Sequence, residues 1–210
     1  SDSWTNVLQS PAAQALEHAV PDYLVSRRWH RRRTAAIQSA KVHDVVSLGR
    51  ASEGTQTELA LVRVRYEDGQ DAVYLIPIGF TAESQAAESD AATSERTIAR
   101  LSVEHDGLTE TGILADAFGE PAFCELVLEA IAARRRLNSR QGTFITRPTA
   151  AYRRIRGDQE SGLQVRQRQE QQSNSVVAYG DRFLLKLFRH LEEGTQPELE
   201  MGLYLTQKVE

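Results

Sequence analysis

Lys186 is the residue whose neighbours in sequence best suit a chemical task. The run Arg182-Phe183-Leu184-Leu185-Lys186-Leu187-Phe188 reads as a strand in which Lys186 shares one face with Leu184 and Phe188, while Phe183, Leu185 and Leu187 take the other. An ammonium group whose stem is enclosed by apolar neighbours needs an anionic partner. Ser175 to Tyr179 reads as a second strand, and Gly180-Asp181 between the two is a type II′ hairpin pair. A two-residue turn sets Tyr179 opposite Arg182 and Ser175 opposite Lys186. The loop Gln172, Ser173, Asn174 then ends beside the lysine and offers donors to anionic oxygens. Downstream, Thr195-Gln196-Pro197-Glu198 reads as a capping box that opens a helix with Leu199 and Leu203 on one stripe. That duty ties Glu198 to the helix start and leaves Glu200 to turn toward the sheet and hold Lys186. The two glutamates are about 200° apart on a regular helix, so only one of them can face the lysine. Glu198 is the alternative partner.

Phosphate-gripping is the chemistry these parts could do. A strand lysine neutralises α/β-phosphates, a helix glutamate keeps it in register, and a loop of donors covers the phosphates, as in a kinase-like amino-terminal lobe. The plain alternative is an edge lysine reaching solvent beside a glutamate on a wet helix face. Other chemistries have less support. His18, His30, His43, His105 and His190 lack metal-ligand spacing, and nothing near Cys124 or the serines suggests an activated nucleophile. Cys124 falls on an apolar helix, where core packing is its role.

The elements that must carry this hairpin begin far upstream. Ser10 and Pro11 suit the start of a helix with Leu16, Ala19 and Val20 on one stripe, interrupted by Pro21. Arg27, Arg28, Arg31, Arg32 and Arg33 surround Trp29 and His30; such a run could attract an anion, or form a solvated edge anchored by Trp29. Strands follow at Val42 to Leu48, Glu58 to Tyr66 and Ala72 to Phe80, the last two joined by the hairpin signature Glu67-Asp68-Gly69-Gln70-Asp71. One face of the second strand is apolar throughout while the other becomes charged at Arg63 and Arg65, which fits an antiparallel sheet covered on one side. Thr81 to Ser94 reads as a surface excursion, and shorter strands are expected at Thr97 to Val103 and Gly112 to Asp116. From Pro121, Phe123, Leu126, Val127, Ala130, Ile131 and Leu137 repeat at helical spacing, with Arg134 to Arg136 near the helix end. Gly142 to Gly162 has little periodicity and reads as a flexible junction between two subdomains.

With 210 residues, 40% hydrophobic and 26% charged, the chain can bury a substantial core. No apolar run is long enough to cross a bilayer and no signal-peptide pattern opens the sequence, so a cytoplasmic address is expected. A single cysteine excludes an internal disulfide and a cysteine zinc cage. Net charge −4 and pI near 5.8 argue against nucleic acid as the main partner.

Gln172-Ser173-Asn174-Ser175-Val176-Val177, Tyr179-Gly180-Asp181-Arg182, Leu185-Lys186-Leu187-Phe188-Arg189 and Pro197-Glu198-Leu199-Glu200-Met201-Gly202 together resemble the maltokinase family. The front resembles it through Trp4, Pro21, Tyr23-Leu24, Arg28-Trp29, Tyr74-Leu75-Ile76-Pro77 and Ala122-Phe123-Cys124, so the likeness covers nearly the whole chain. Two departures stand out. The family's Arg-Trp-Phe-Gly-Gly-Lys-type stretch is here Arg28-Trp29-His30-Arg31-Arg32-Arg33, without glycines, and the Gln-Ser-Asn loop has no Gly-x-Gly. The resemblance implies an α+β fold: an amino-terminal cap with a curved antiparallel sheet and helices over residues 1–142, with 90–118 as an earlier end, then the start of an ATP-contacting intermediate subdomain over 143–210. It implies ATP and Mg²⁺ as cofactors and transfer of the γ-phosphate to maltose, giving maltose 1-phosphate for α-glucan synthesis. A fused or associated trehalose synthase is an expected partner. Lys186, Glu200, Gln172, Ser173, Asn174 and Ser175 are the expected nucleotide contacts. No His-Gly-Asp-like catalytic segment and no Asp-led metal motif follows the lysine, so base and metal ligands are expected beyond Glu210 and the fragment alone is expected to be inactive.

Two other readings compete. Another phosphotransferase of the aminoglycoside or choline kinase type would share the lysine-glutamate pair. A docking or glucan-binding module would not be catalytic, with exposed aromatic platforms pointing to glucan and a large apolar patch to protein docking.

Overall fold

The computed structural model describes residues 12–32, 34–50, 56–82, 95–105, 108–157, 164–167 and 175–208. Its main layer is an antiparallel sheet of β1 (Ile37–Arg50), β2 (Gln56–Tyr66), β3 (Asp71–Ala82), β4 (Thr97–His105) and β5 (Leu108–Asp116), in the order β1-β2-β3-β5-β4. The fold is α+β, as expected. Each strand covers its expected segment and runs past it at one end or both. Three register shifts in β1, at Ile37/Ser39, Val42/Asp44 and Ser47/Gly49, add the twist that curves the sheet. The free edge of β3 is shared between two partners: β5 pairs with Ile78 to Ala82, and β11 (His190–Leu191) returns from the far end of the chain to pair with Val73 and Tyr74. Pro77, which has no N–H to donate, lies in the gap between them.

Strand alternation explains how the sheet is covered. Ala60, Val62, Val64 and Tyr66 of β2 join Tyr74, Ile76 and Ile78 of β3 in one core, under α1 (Ala12–Ser26). This helix continues past Pro21, where an interruption was expected. Leu16, Val20 and Leu24 are fully buried, each gaining about 1.5–3 kcal/mol over exposure, which exceeds in sum the ~3 kcal/mol that an interior proline costs. The opposite face is also covered, at one end. Leu59, with Val46 and Leu48 of β1, packs into a second core with Phe123, Cys124 and Leu126 of α2 (Pro121–Ala132) and with Val177 and Tyr179. Arg63 and Arg65 are exposed because they lie toward the uncovered end of that face. The expectation of a sheet covered on one side is corrected to this arrangement.

The helix from Pro121 stops at Ala132, so Leu137 is not on it. Arg134 adopts φ +52°, and Arg135 N–H reaches Ala130 O at 3.0 Å while Arg134 N–H reaches Ile131 O at 3.1 Å. This is a Schellman stop with arginine where glycine is usual. Leu137 lies instead on β6 (Arg136–Asn138), paired with β7 (Thr143–Ile145), and α3 (Ala150–Arg156) follows. The stretch expected to be a flexible junction therefore contains a strand and a helix. A second small sheet, β8 (Val165–Gln167), β9 (Ser175–Tyr179) and β10 (Phe183–Leu187), with β9 central, precedes β11 and then α4 (Pro197–Lys208). Among the described residues no helix is long and apolar enough to cross a membrane.

Asp44 fastens the β6–β7 turn to the main sheet. Its carboxylate accepts from Ser139 Oγ at 2.5 Å, from the N–H of Arg140 and Gln141, and from Val45 N–H. Burial on its own would raise this carboxyl's pKa, but the four hydrogen bonds outweigh it and hold it below the ordinary carboxylate value. A folded-state value below the unfolded one contributes stability above the unfolded value, near 4, and loses it as pH falls through the folded one. Asp44→Asn is therefore expected to cost about 1–3 kcal/mol at neutral pH. Its deficit relative to wild type should shrink in melts taken below about pH 4.

Candidate functional site

The β9–β10 hairpin turns through Gly180, Asp181 and Arg182. Gly180 takes φ +55°, the positive value a II′ turn needs at its first central position, and Arg182 N–H closes on Tyr179 O at 3.2 Å. The turn chemistry read from Gly-Asp is therefore present, but Arg182 is an additional loop residue and Phe183 is the residue that faces Tyr179. Every pairing moves by one: Lys186 lies opposite Val176, and Ser175 lies opposite Leu187. A slip of one residue exchanges the faces of a strand. Ser175 thus does not stand beside Lys186. It is fully buried and accepts a hydrogen bond from Arg189 Nε at 3.0 Å, which corrects its expected place opposite Lys186.

Lys186 does point to the side shared with Leu184, as alternation requires. Its side chain is 30% exposed, its Nζ lies 5.3 Å from the Phe188 ring centroid, and Leu184 beside it is 61% exposed. Phe183, Leu185 and Leu187 pack into the second core. The partner of Lys186 is Glu198: Nζ donates to Oε1 at 2.6 Å and to Oε2 at 2.5 Å. Glu200 is exposed and is not that partner. The reason is the cap. Gln196, not Thr195, caps α4, its Oε1 accepting from the N–H of Glu198 at 2.6 Å and of Leu199 at 3.0 Å. Pro197 at the first helical position has no N–H to satisfy. Relieved of capping, Glu198 extends to the lysine from the first turn, where its charge also suits the helix dipole. Gln172, Ser173 and Asn174 lie outside the described residues.

The sequence reading missed a second cluster, behind the hairpin. Arg189 is 1% exposed; its Nη2 pairs with Asp116 Oδ2 at 2.8 Å, and its guanidinium carbon lies 4.9 Å from the Trp29 ring centroid and 5.1 Å from that of Phe118. Asp116 also accepts from Tyr23 OH at 2.5 Å and from Phe118 N–H at 2.9 Å. Burial, with the Asp116 charge adjacent, pushes the Tyr23 phenol well above its ordinary pKa, so it remains a donor. Parity was the available signal. Arg189 continues the 183, 185, 187 series and Asp116 follows Leu114 on the buried side of β5.

Two arginines of the run, Arg27 and Arg32, are engaged within the fold. Trp29 is buried, as its anchoring role requires, Arg27 stacks over the Tyr23 ring at 4.7 Å, and Arg32 pairs with Asp68 and Gln70 while lying 4.6 Å from the Tyr66 ring centroid. His30, also buried, bonds Tyr66 OH at 2.9 Å, which in turn bonds Tyr74 OH. Cys124 is fully buried, and burial raises its thiol to about 11, so it is inert packing. Among the described residues no three His, Cys, Asp or Glu side chains gather to hold a metal ion.

A curved antiparallel sheet packed under α1 is thus continued by a hairpin whose Lys186 is held by Glu198 of α4. Residues 23–118 match the family model described as the maltokinase N-terminal cap domain. That segment of the chain is similar to a maltokinase N-terminal cap domain. The match begins inside α1 and ends just past β5, so it contains Tyr23, Trp29, Asp116 and Phe118 and stops short of Lys186, Arg189 and Glu198.

Proposed function

We propose that this chain forms the cap and the nucleotide-gripping hairpin of a cytoplasmic ATP-dependent maltokinase, an enzyme that converts maltose and ATP to maltose 1-phosphate and ADP for α-glucan synthesis, alone or beside a trehalose synthase. The observation that carries the reading is the Lys186–Glu198 pair on the outward face of a hairpin attached to a maltokinase cap. The face suits a nucleotide. Lys186 offers a cation already oriented by two short hydrogen bonds, and Leu184 and Val176 on the same face offer apolar surface for a purine. Bound ATP supplies the γ-phosphoryl group, with Mg²⁺ as its counter-ion. Lys186 neutralises phosphate charge and Glu198 keeps its ammonium at a fixed height. In this reading residues 143–210 begin the intermediate subdomain. The base and metal ligands belong to a second lobe, which could also cover the exposed Leu199, Met201, Tyr204 and Leu205 of α4.

The test is Lys186→Met in the protein that carries this chain together with its catalytic lobe. Phosphoryl transfer is expected to fall by on the order of 10²-fold or more, because charge neutralisation and positioning are most of what such an enzyme contributes. Circular dichroism and melting temperature should be unchanged, since an ion pair this exposed contributes little to stability. Near-normal turnover with a normal spectrum would overturn the reading.

A further inference from the structure

Arg189 joins the two halves of the molecule. It follows β10 by two residues and immediately precedes β11, and its carbonyl accepts Leu75 N–H of β3 at 2.8 Å. Its guanidinium, buried against Trp29 and Phe118, holds Asp116 at the end of β5 with Nη2 and Ser175 at the start of β9 with Nε. One planar fork therefore touches the matched cap and β9 of the hairpin outside it, from a residue whose backbone continues β10. Lys186 lies only three residues away along β10, a span of about 10 Å at most. Ser175 is paired with Leu187, next to that lysine. A buried ion pair is weak as a source of net stability, since well-packed apolar groups of the same volume often serve as well or better. A guanidinium fork does fix orientation, because its donors leave a rigid plane in set directions.

We propose that Arg189 is a positioning residue: through Asp116 of the cap and Ser175 of the hairpin it sets the placement of Lys186, so that the cap controls the grip on the nucleotide. This rests on the function proposed above only in its last step. Two measurements on the 210-residue chain test the coupling without nucleotide. One is hydrogen exchange of the amides of residues 176–191 against those of β1 and β2; the other is competitive acylation of Lys186 against Lys41, a lysine paired with Glu17 on the far side of the sheet. Arg189→Lys keeps the charge and loses the fork. It should speed exchange in 176–191 and acylation of Lys186 by about tenfold while leaving β1, β2 and Lys41 within about twofold. Ser175→Ala, a mild change that removes one arm of the cluster, should shift the same sites in the same direction by a smaller factor and decides the matter if Arg189→Lys fails to fold. Uniform acceleration across both regions, or none in the hairpin, would overturn the coupling. With the catalytic lobe present, Arg189→Lys should raise the KM for ATP several-fold and leave the KM for maltose unchanged; an equal rise in both would also count against it. If Lys186→Met left ATP turnover intact, the functional reading would fail, while exchange and acylation would still decide whether Arg189 positions the lysine.

Discussion

Asp116→Ala is expected to lower the stability of this fold by about 3–5 kcal/mol, because it strands the Arg189 guanidinium in a site from which water is excluded. A loss of that size is a large share of the roughly 5–15 kcal/mol that holds a typical domain together. The Tyr23 hydroxyl and the Phe118 N–H lose their acceptor in the same substitution, which adds to the penalty. The pair removed together behaves differently. With Asp116→Leu and Arg189→Met combined, no charge remains buried, and stability should recover most of the loss, short only of the penalty of the unpaired Tyr23 hydroxyl and Phe118 N–H. Urea unfolding followed by circular dichroism separates these outcomes. A single-variant loss under about 1 kcal/mol would mean that Arg189 finds water or another acceptor, and the two halves would then not be joined by this pair. The double variant also sharpens the positioning argument: it should be stable, yet its hairpin should lack the fixed placement that the fork provides.

Glu198→Gln should separate from Glu200→Gln in the enzyme carrying both lobes, by on the order of 10²-fold in turnover number. The bidentate contact at 2.5 and 2.6 Å belongs to Glu198 alone, and a carboxamide can accept from Lys186 but does not supply the charge that holds it. Glu200→Gln should leave turnover within roughly twofold, as an exposed substitution away from the lysine. Stability should barely distinguish the two variants, since the side chains of the pair are 30% and 55% exposed and such pairs contribute at most about 1 kcal/mol. The capping role, moved to Gln196, gives a control: Gln196→Ala should lower the melting temperature while keeping the ion pair, and should affect turnover less than Glu198→Gln. Equal turnover losses for the two glutamate variants would remove Glu198 from the proposed site.

Local chemistry in the sequence determined a good deal of this protein. Alternating apolar residues in β2 and β3 define the face that packs under α1, since a strand has only two faces. The same alternation assigned Lys186 and Leu184 to one side of β10, and Gly180 marked the turn because few other residues accept its φ. The helix from Pro121 was equally legible, as was Trp29 as an anchor. What alternation cannot supply is register. One extra loop residue, Arg182, moved Ser175 from the lysine to the buried cluster, and nothing in Tyr-Gly-Asp-Arg distinguishes a two-residue loop from a three-residue one. The stop of α2 was hidden for a related reason: arginine, not glycine, occupies the left-handed position of its Schellman turn, and sequence carries no sign of a conformation its residue disfavours. Which glutamate meets the lysine depended on one capping hydrogen bond from Gln196, a contest between two local solutions close in energy. The Asp116–Arg189 pair, 73 residues apart in sequence, was decided by tertiary structure alone. Parity put each residue on an inward side, but only the return of β11 to the edge of β3 brings the two together, and that long-range pairing has no local signal to precede it.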